Sequence, residues 1–419
     1  MSEEVAVHAD RPTAIRAAID GQRERLVELC ARIHAHPELK FEEYAAVRWI
    51  TDTLQAAGFA VERDVAGLPT AFRAWTAGAG WRPGNGGPAG PTIAFQAEYD
   101  ALPGVGHACG HNIIATAAVG AALGVAAVLA DLAGRVMVMG TPGEEGGGGK
   151  ILMLEAGAYD DVDIAMYVHA QTRNAVMHDN MALARLDVAF QGRRGHPLGG
   201  NNRLGEEHMG VNALTALLLL FSNVNALRER LPRETLLRGR ITNGGDELEL
   251  EPVPLSAGAY FQVTTSRYAD AQGVLEMIRR SGRAAALATG AEVAFAEYPL
   301  YAERLNNPTL QAVMERSLRL AGCADLDPRP LRSPASTDSG NVSWRVPLVG
   351  AFVKVCEPGH NTHSPAFAAA AGSPAGHAAA LLGAKSMALA ALDVLTQPDL
   401  LPRIRQDFAA GVSAARPDS

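Results

Sequence analysis

Between residues 92 and 169, short apolar runs alternate with glycine-rich polar loops and helical patterns, and this alternation narrows the possible folds more than any other feature. TIAFQAEYD (92–100) reads as a buried strand ending in two acids, followed by the loop GHACGHN and a small-residue helix near 113–129. RVMVM (135–139) is a second strand, and GTPGEEGGGGK leads from it into a helix near 151–157. A third strand over 163–168 is capped by His169. Strand, loop and helix repeated at this spacing build an α/β sheet with helices on its faces. Ligand-binding groups of such sheets gather in the loops at the carboxyl ends of the strands.

The flanking segments extend this plan. Apolar residues return at helical spacing over 12–35, and a second helix over 42–57 stops at Gly58. Short extended segments at 59–61 and 70–75 precede a Gly/Pro-rich loop. The middle of the chain follows a different order, with strand 182–190, helix 210–227, strands 236–242 and 259–265, helix 270–288 and strand 291–297. That β-α-β-β-α-β order is the ferredoxin-like plan of a self-contained domain. The expected division is a catalytic domain in two parts, 1–182 and 300–419, interrupted by an inserted domain over 183–299. Helices over 307–320 and 377–395 complete the second part.

At 419 residues the chain is too long for one ordinary core. Its net charge of −8, without a basic stripe, gives no pull toward nucleic acid. Four irregularly spaced cysteines are not a disulfide framework and fit a reducing compartment. The first residues lack an apolar leader, and apolar runs such as 117–130 fall short of the ~20 residues that span a bilayer. The expectation is a soluble, cytoplasmic protein with no membrane partner.

Chemistry concentrates in the loops. Cys109-Gly110-His111 sets a thiol and an imidazole two residues apart, with a glycine that lets both converge on one ion. Glu144-Glu145 follows the second strand and His169 ends the third. Sulfur, imidazole and carboxylate donors on successive loops suit Zn²⁺ or Mn²⁺. Of two adjacent carboxylates, one can bind metal while the other takes a proton from metal-activated water. A solvated acidic pair on a flexible loop is the alternative. Gly146–Gly149 is not a phosphate loop, because Lys150 is followed by Ile151 rather than Ser or Thr.

The strings HAHPELKFEE (34–43), EYDALPGVGHACGHN (98–112), GTPGEEGGGGK (140–150) and STDSGNVSWRVP (336–347) resemble, in order, the M20 family of metallohydrolases. The likeness is to its amidohydrolase branch, the aminoacylase-1-like protein 2, aminobenzoyl-glutamate hydrolase and auxin-conjugate hydrolase type. It implies an M20-type catalytic domain, a central sheet flanked by helices, and an inserted ferredoxin-like α+β lid domain through which a homodimer forms. It also implies one or two Mn²⁺ or Zn²⁺ ions per subunit. Carried over residue by residue, Cys109, His111, Glu145, His169 and His363 become ligands and Glu144 the general base and acid. Asp100 orients the centre, and His196 steadies the substrate oxygen across the dimer interface. His107 and His360 match no ligand position.

Other positions depart from the family. The asparagine that commonly precedes a proline in the inserted domain is missing from GGDELELEPVP (244–254). Thr264 or Thr265 stands where a carboxylate-binding arginine is expected, with Arg267 close by as an alternative, and Arg193, Arg194 and Arg203 cluster in the segment around His196. Tyr260, Phe261 and Trp344 are candidates to line a pocket for a flat substrate or simply to pack. The expected function is hydrolysis of an amide in a small N-acyl amino acid, aminobenzoyl conjugate or dipeptide. One alternative is hydrolytic deamination of an activated aromatic acid, which releases ammonia. A catalytically silent binding or assembly protein is the other. The substrate is a small molecule, carboxylated or aromatic.

Overall fold

The structure, a computed structural model, describes residues 3–79, 81, 90–195, 210–245, 253–329, 331–332 and 335–415. Its strands are, in chain order, β1 (Ala60–Arg63), β2 (Phe72–Ala77), β3 (Thr92–Ala97), β4 (Arg135–Gly140), β5 (Ile164–Gln171) and β6 (Ala175–Asp179). There follow β7 (Ala182–Gln191), β8 (Leu236–Asn243), β9 (Ser256–Thr265), β10 (Glu292–Glu297), β11 (Leu331–Arg332) and β12 (Leu348–Lys354).

Eight strands form a mixed sheet in the order β1-β2-β4-β3-β5-β12-β6-β11. Its centre, β4-β3-β5-β12, is parallel. Every residue of β3 and β4 is buried, which is why both read as apolar runs without alternation. The helices His111–Ala126 and Pro374–Thr396 pack on each other and on this sheet. Small residues bring them close, since a Cβ at Gly120 would lie 2.8 Å from that of Ala384. The 23-residue helix Pro374–Thr396 is long and apolar enough to cross a membrane by length and composition, but 78% of its apolar window is buried inside the protein. Its composition is that of a core helix.

The second sheet is antiparallel, ordered β10-β7-β9-β8. It carries the helices Ala213–Leu227 and Tyr268–Thr289, which gives the ferredoxin-like arrangement. Leu186, Phe190, Leu217, Leu220, Phe261 and Ile278 belong to its core. Phe261 is therefore a packing residue, 5.3 Å ring to ring from Phe221. The chain divides into two compact units, one within Met1–Asp179, Arg304–Ser333 and Asp338–Ser419, the other within Asn180–Glu303 and Pro334–Thr337.

The expected α/β architecture with a separate lid-like sheet is present, with local differences. The helix expected over 12–35 is interrupted between Gly21 and Arg23, where Gln22 leaves the helical backbone region. β5 runs on to Gln171, so His169 lies inside a strand and does not cap it. Among the elements that were not expected are β6, which has only five residues, and the helix Leu400–Ala415, which buries only Leu400 and Ile404.

Candidate metal centre

β3 ends at Ala97, and the chain leaves the sheet carrying Glu98 and Asp100, each 1% exposed. The following loop turns through Gly110 at φ +78° and starts a helix at His111. Glycine is required there twice over, because a Cβ would also meet that of Ala170 at 2.4 Å. Glu144 and Glu145 follow β4 after the short link Thr141-Pro142-Gly143. The Glu43 carboxylate accepts from the N–H of Gly143 at 2.8 Å and anchors that loop. His363 stands at φ +64°, a left-handed conformation rare for a residue with a Cβ, and its N–H donates to the carbonyl of Ala108.

These segments bring all five expected ligand residues together. The donor atoms of Cys109, His111 and His169 lie within 4.8 Å of one another, as do those of Cys109, Glu145 and His363. Cys109 belongs to both sets. Its Sγ is 3.4 Å from His169 Nε2, and His363 Nε2 is 3.3 Å from Glu145 Oε1. The imidazoles of His111 and His169 are turned alike. His111 Nδ1 faces the Asp100 carbonyl at 2.8 Å and Asp100 Oδ1 at 3.0 Å, and His169 Nδ1 faces the Ala170 carbonyl at 2.7 Å. With Nδ1–H donating in each ring, Nε2 is the nitrogen that each imidazole turns to the centre. Asp100 Oδ2 accepts from the N–H of Glu145 at 2.8 Å, so one carboxylate orients two of the loops.

His111 is fully buried, yet its Nε2 has no hydrogen-bond partner. A buried polar nitrogen left without a partner is costly, and a cation bound at that nitrogen would remove the cost. The donor set of one thiol, three imidazoles and a carboxylate fits a divalent transition ion, with sulfur and nitrogen favouring Zn²⁺ and carboxylate oxygen favouring Mn²⁺.

The electrostatics follow from burial. Burial, then the carboxylates of Glu98 and Glu145, push Glu144 well above the usual carboxylate range. Its Oε2 lies 3.9 Å from His111 Nε2. For His111, burial disfavours the charged ring, but the Asp100 carboxylate outweighs it and the pKa rises. Burial lowers His169, whereas the hydrogen bond to Glu145 raises His363. The Cys109 thiol is pushed up by burial and by Glu145. Burial, followed by the charge of Asp100, raises Glu43 to about 7.

His196 and Arg203 lie outside the described residues. His360 is exposed, while His107 is buried beside His34 with its pKa lowered by burial to about 3; neither joins a donor cluster among the described residues. Sequence reasoning gave no role to Glu43, Glu98, Lys150 or Asp338. All four stood inside the quoted motif strings, but buried carboxylates and a buried lysine leave no periodic signal.

The sequence pattern of peptidase family M20/M25/M40 matches residues 93–391. Over 93% of its length the chain is 36% identical to Xaa-Arg dipeptidase of Mus musculus, covering 90% of that protein. Xaa-Arg dipeptidase of Homo sapiens is 35% identical over the same shares of the two chains. Among solved structures the chain is similar to the Bacillus subtilis YXEP protein, a dinuclear metal binding peptidase from M20 family. That likeness has a TM-score of 0.63 at 21% identity, over 90% of this chain and 99% of the other, and speaks to the fold. The chain belongs to peptidase family M20/M25/M40 and is a metal-dependent hydrolase.

Proposed function

We propose that the chain is an amidohydrolase of the M20 branch with a shared cysteine, cleaving the amide of a dipeptide, N-acyl amino acid or aminobenzoyl conjugate. One observation carries this reading: Cys109 stands in two donor sets at once, with the Glu144 carboxylate beside them. Cys109, His111 and His169 would hold one divalent ion, and Cys109, Glu145 and His363 would hold a second. Ions held there supply Lewis acidity and lower the pKa of water at the site.

The protein's own groups do the rest. Glu144 Oε2 takes the proton from the attacking water and returns it to the nitrogen as the C–N bond breaks. Its buried, electronegative surroundings raise its proton affinity above that of an ordinary glutamate, which suits a group that must both accept and donate. Asp100 holds the tautomer and orientation of His111. His196 is assigned to the substrate oxygen from the family resemblance.

Full-length likeness to Xaa-Arg dipeptidase supports a dipeptide among the candidate substrates. Within the inserted unit, β8 is an edge strand with Leu236 45% and Ile241 49% exposed, and it supports pairing of two copies through this unit.

The test is product analysis. Metal-loaded protein, with Glu144→Ala as control, is incubated with dipeptides, N-acyl amino acids, aminobenzoyl-glutamate and aminated aromatic acids. Release of free amino acid, lost in the variant, is the expected result. Ammonia with a hydroxylated ring product would replace this reading with deamination.

A further inference from the structure

Of the five non-glycine residues at positive φ among the described residues, two belong to the surroundings of the candidate metal centre. One is the donor residue His363. The other is Phe41, half-buried and at φ +65°, which no step of the proposed hydrolysis uses. The N–H of Glu42 donates to the Leu39 carbonyl at 2.9 Å and closes a four-residue turn with Phe41 at its third position. A positive φ at that position is the ordinary place of glycine or asparagine, and a residue with a larger side chain is strained there.

The turn is tied down on both sides. The Glu38 carbonyl accepts from the N–H of Ala101 at 2.8 Å, in the loop that carries Asp100 and Cys109. The Glu38 carboxylate accepts from the N–H groups of Ala45 and Ala46, each at 2.9 Å, at the start of the helix Tyr44–Ala56. What the turn holds in place is a ring. A Cβ at Gly143 would lie 2.8 Å from Phe41 Cζ, and one at Gly147 would lie 2.6 Å from Phe41 Cε2. The tip of the ring therefore rests on the backbone of both glycines.

Those two glycines bracket Glu144 and Glu145. Gly143, Gly146 and Gly148 all stand at positive φ, and so glycine-rich a stretch loses much backbone entropy when it is ordered. The N–H of Gly147 donates to the Gly143 carbonyl at 3.0 Å and closes the loop on itself. Glu145 has a separate hold, its N–H donating to Asp100 Oδ2 at 2.8 Å. Glycine at position 41 would satisfy the turn without strain, so the contact with the loop is what an aromatic residue adds there.

We propose that Phe41 is a positioning residue whose ring packs the glycine loop into the conformation that aims the Glu144 carboxylate, and that it acts on turnover through Glu144. The inference rests on Glu144 as the group that moves the proton. Because Glu145 keeps its hold on Asp100, loss of the ring leaves ion binding intact. Misplacing a reacting group by about 1 Å can cost up to roughly 10²-fold in rate.

Phe41→Gly removes the ring in a backbone conformation natural to glycine. Its kcat on a dipeptide or N-acyl amino acid, per metal-loaded chain, is expected to fall roughly 10–100-fold, with KM and bound ions near wild type. Phe41→Leu, which refills part of the space, recovers part of that loss. The same Phe41→Gly change is then made in Glu144→Gln protein, where no carboxylate is left to aim, and a further loss below about 2-fold is expected. An equal loss in both backgrounds, or a loss of bound ions, would mark a general structural role and overturn the proposal. Wild-type kcat in Phe41→Gly would overturn it too. Full turnover in Glu144→Gln alone would instead overturn the reading of Glu144 beneath it. Should Phe41→Gly fail to fold, Phe41→Leu carries the comparison, with a smaller loss expected beside Glu144 and none beside Gln.

Discussion

The main-chain N–H of His363 donates to the carbonyl of Ala108 at 2.8 Å, which joins the last of the five candidate ligand segments to the residue beside Cys109. The bond holds His363 at φ +64°, a conformation that costs on the order of 1–3 kcal/mol for a residue with a Cβ. Strain of this kind persists where surrounding structure fixes it, and here it sets an imidazole against Glu145.

His363→Gly separates the ligand from the strain. The variant is expected to bind one divalent ion fewer than wild type. Metal-free stability should stay within about 1 kcal/mol, because relief of strain offsets the greater backbone entropy of glycine. Metal content after dialysis and urea unfolding of the metal-free protein measure the two. Unchanged metal content would remove His363 from the donor set.

Glu144→Gln tests proton transfer without disturbing size. Turnover is expected to fall by roughly 10²–10⁴-fold, with ions still bound. In wild type the acid limb of kcat/KM should lie above the ordinary glutamate range, since burial and then Glu98 and Glu145 raise the proton affinity of Glu144. Activity therefore rises with pH as Glu144 ionises. A pH profile with its acid limb at an ordinary carboxylate value, or a variant near wild-type rate, would speak against this role.

Gly110→Ala should be disruptive for a stated steric reason. The added methyl meets Ala170 at 2.4 Å in a backbone region unfavourable to alanine. A loss of about 1–3 kcal/mol is expected, together with weaker metal binding, because Cys109 and His111 flank the turn. Denaturant unfolding with and without metal checks both effects.

Glu43 predicts a pH dependence of stability. Its carboxyl titrates at about 7 in the folded protein against an ordinary value of 4.5. Between those values the folded state holds the extra proton, so stability from this group is complete below 4.5 and is lost as pH rises through 7. Glu43→Gln keeps an acceptor for Gly143 and removes the titration. It should be more stable than wild type at pH 8 by up to about 3 kcal/mol, with little difference near pH 4.5. Parallel unfolding curves at the two pH values would refute this.

Much of the architecture was legible because burial leaves a trace in residue type. The fully buried β3 and β4 are nearly continuous apolar runs, and the six strands and helices expected in the inserted segment are all present in the second unit. The residues of the candidate donor sets were picked out through family resemblance, and through glycines such as Gly110 that stand in a left-handed conformation. Short or peripheral elements were not. β6 has five residues, and β11 has two. Charge buried by pairing was equally silent, since Lys150 reads as a surface residue until Glu98 and Asp338 are seen on either side of it.

The central claim is that two ions share Cys109 and that hydrolysis depends on both. The most direct measurement titrates metal-free protein with Mn²⁺ or Zn²⁺, following bound metal per chain and release of amino acid from a dipeptide or N-acyl amino acid together. The account predicts saturation at two ions per chain, with full turnover only at the second, and one ion fewer in Cys109→Ser. Saturation at a single ion with full activity, or metal binding unaffected by loss of the Cys109 sulfur, would contradict it.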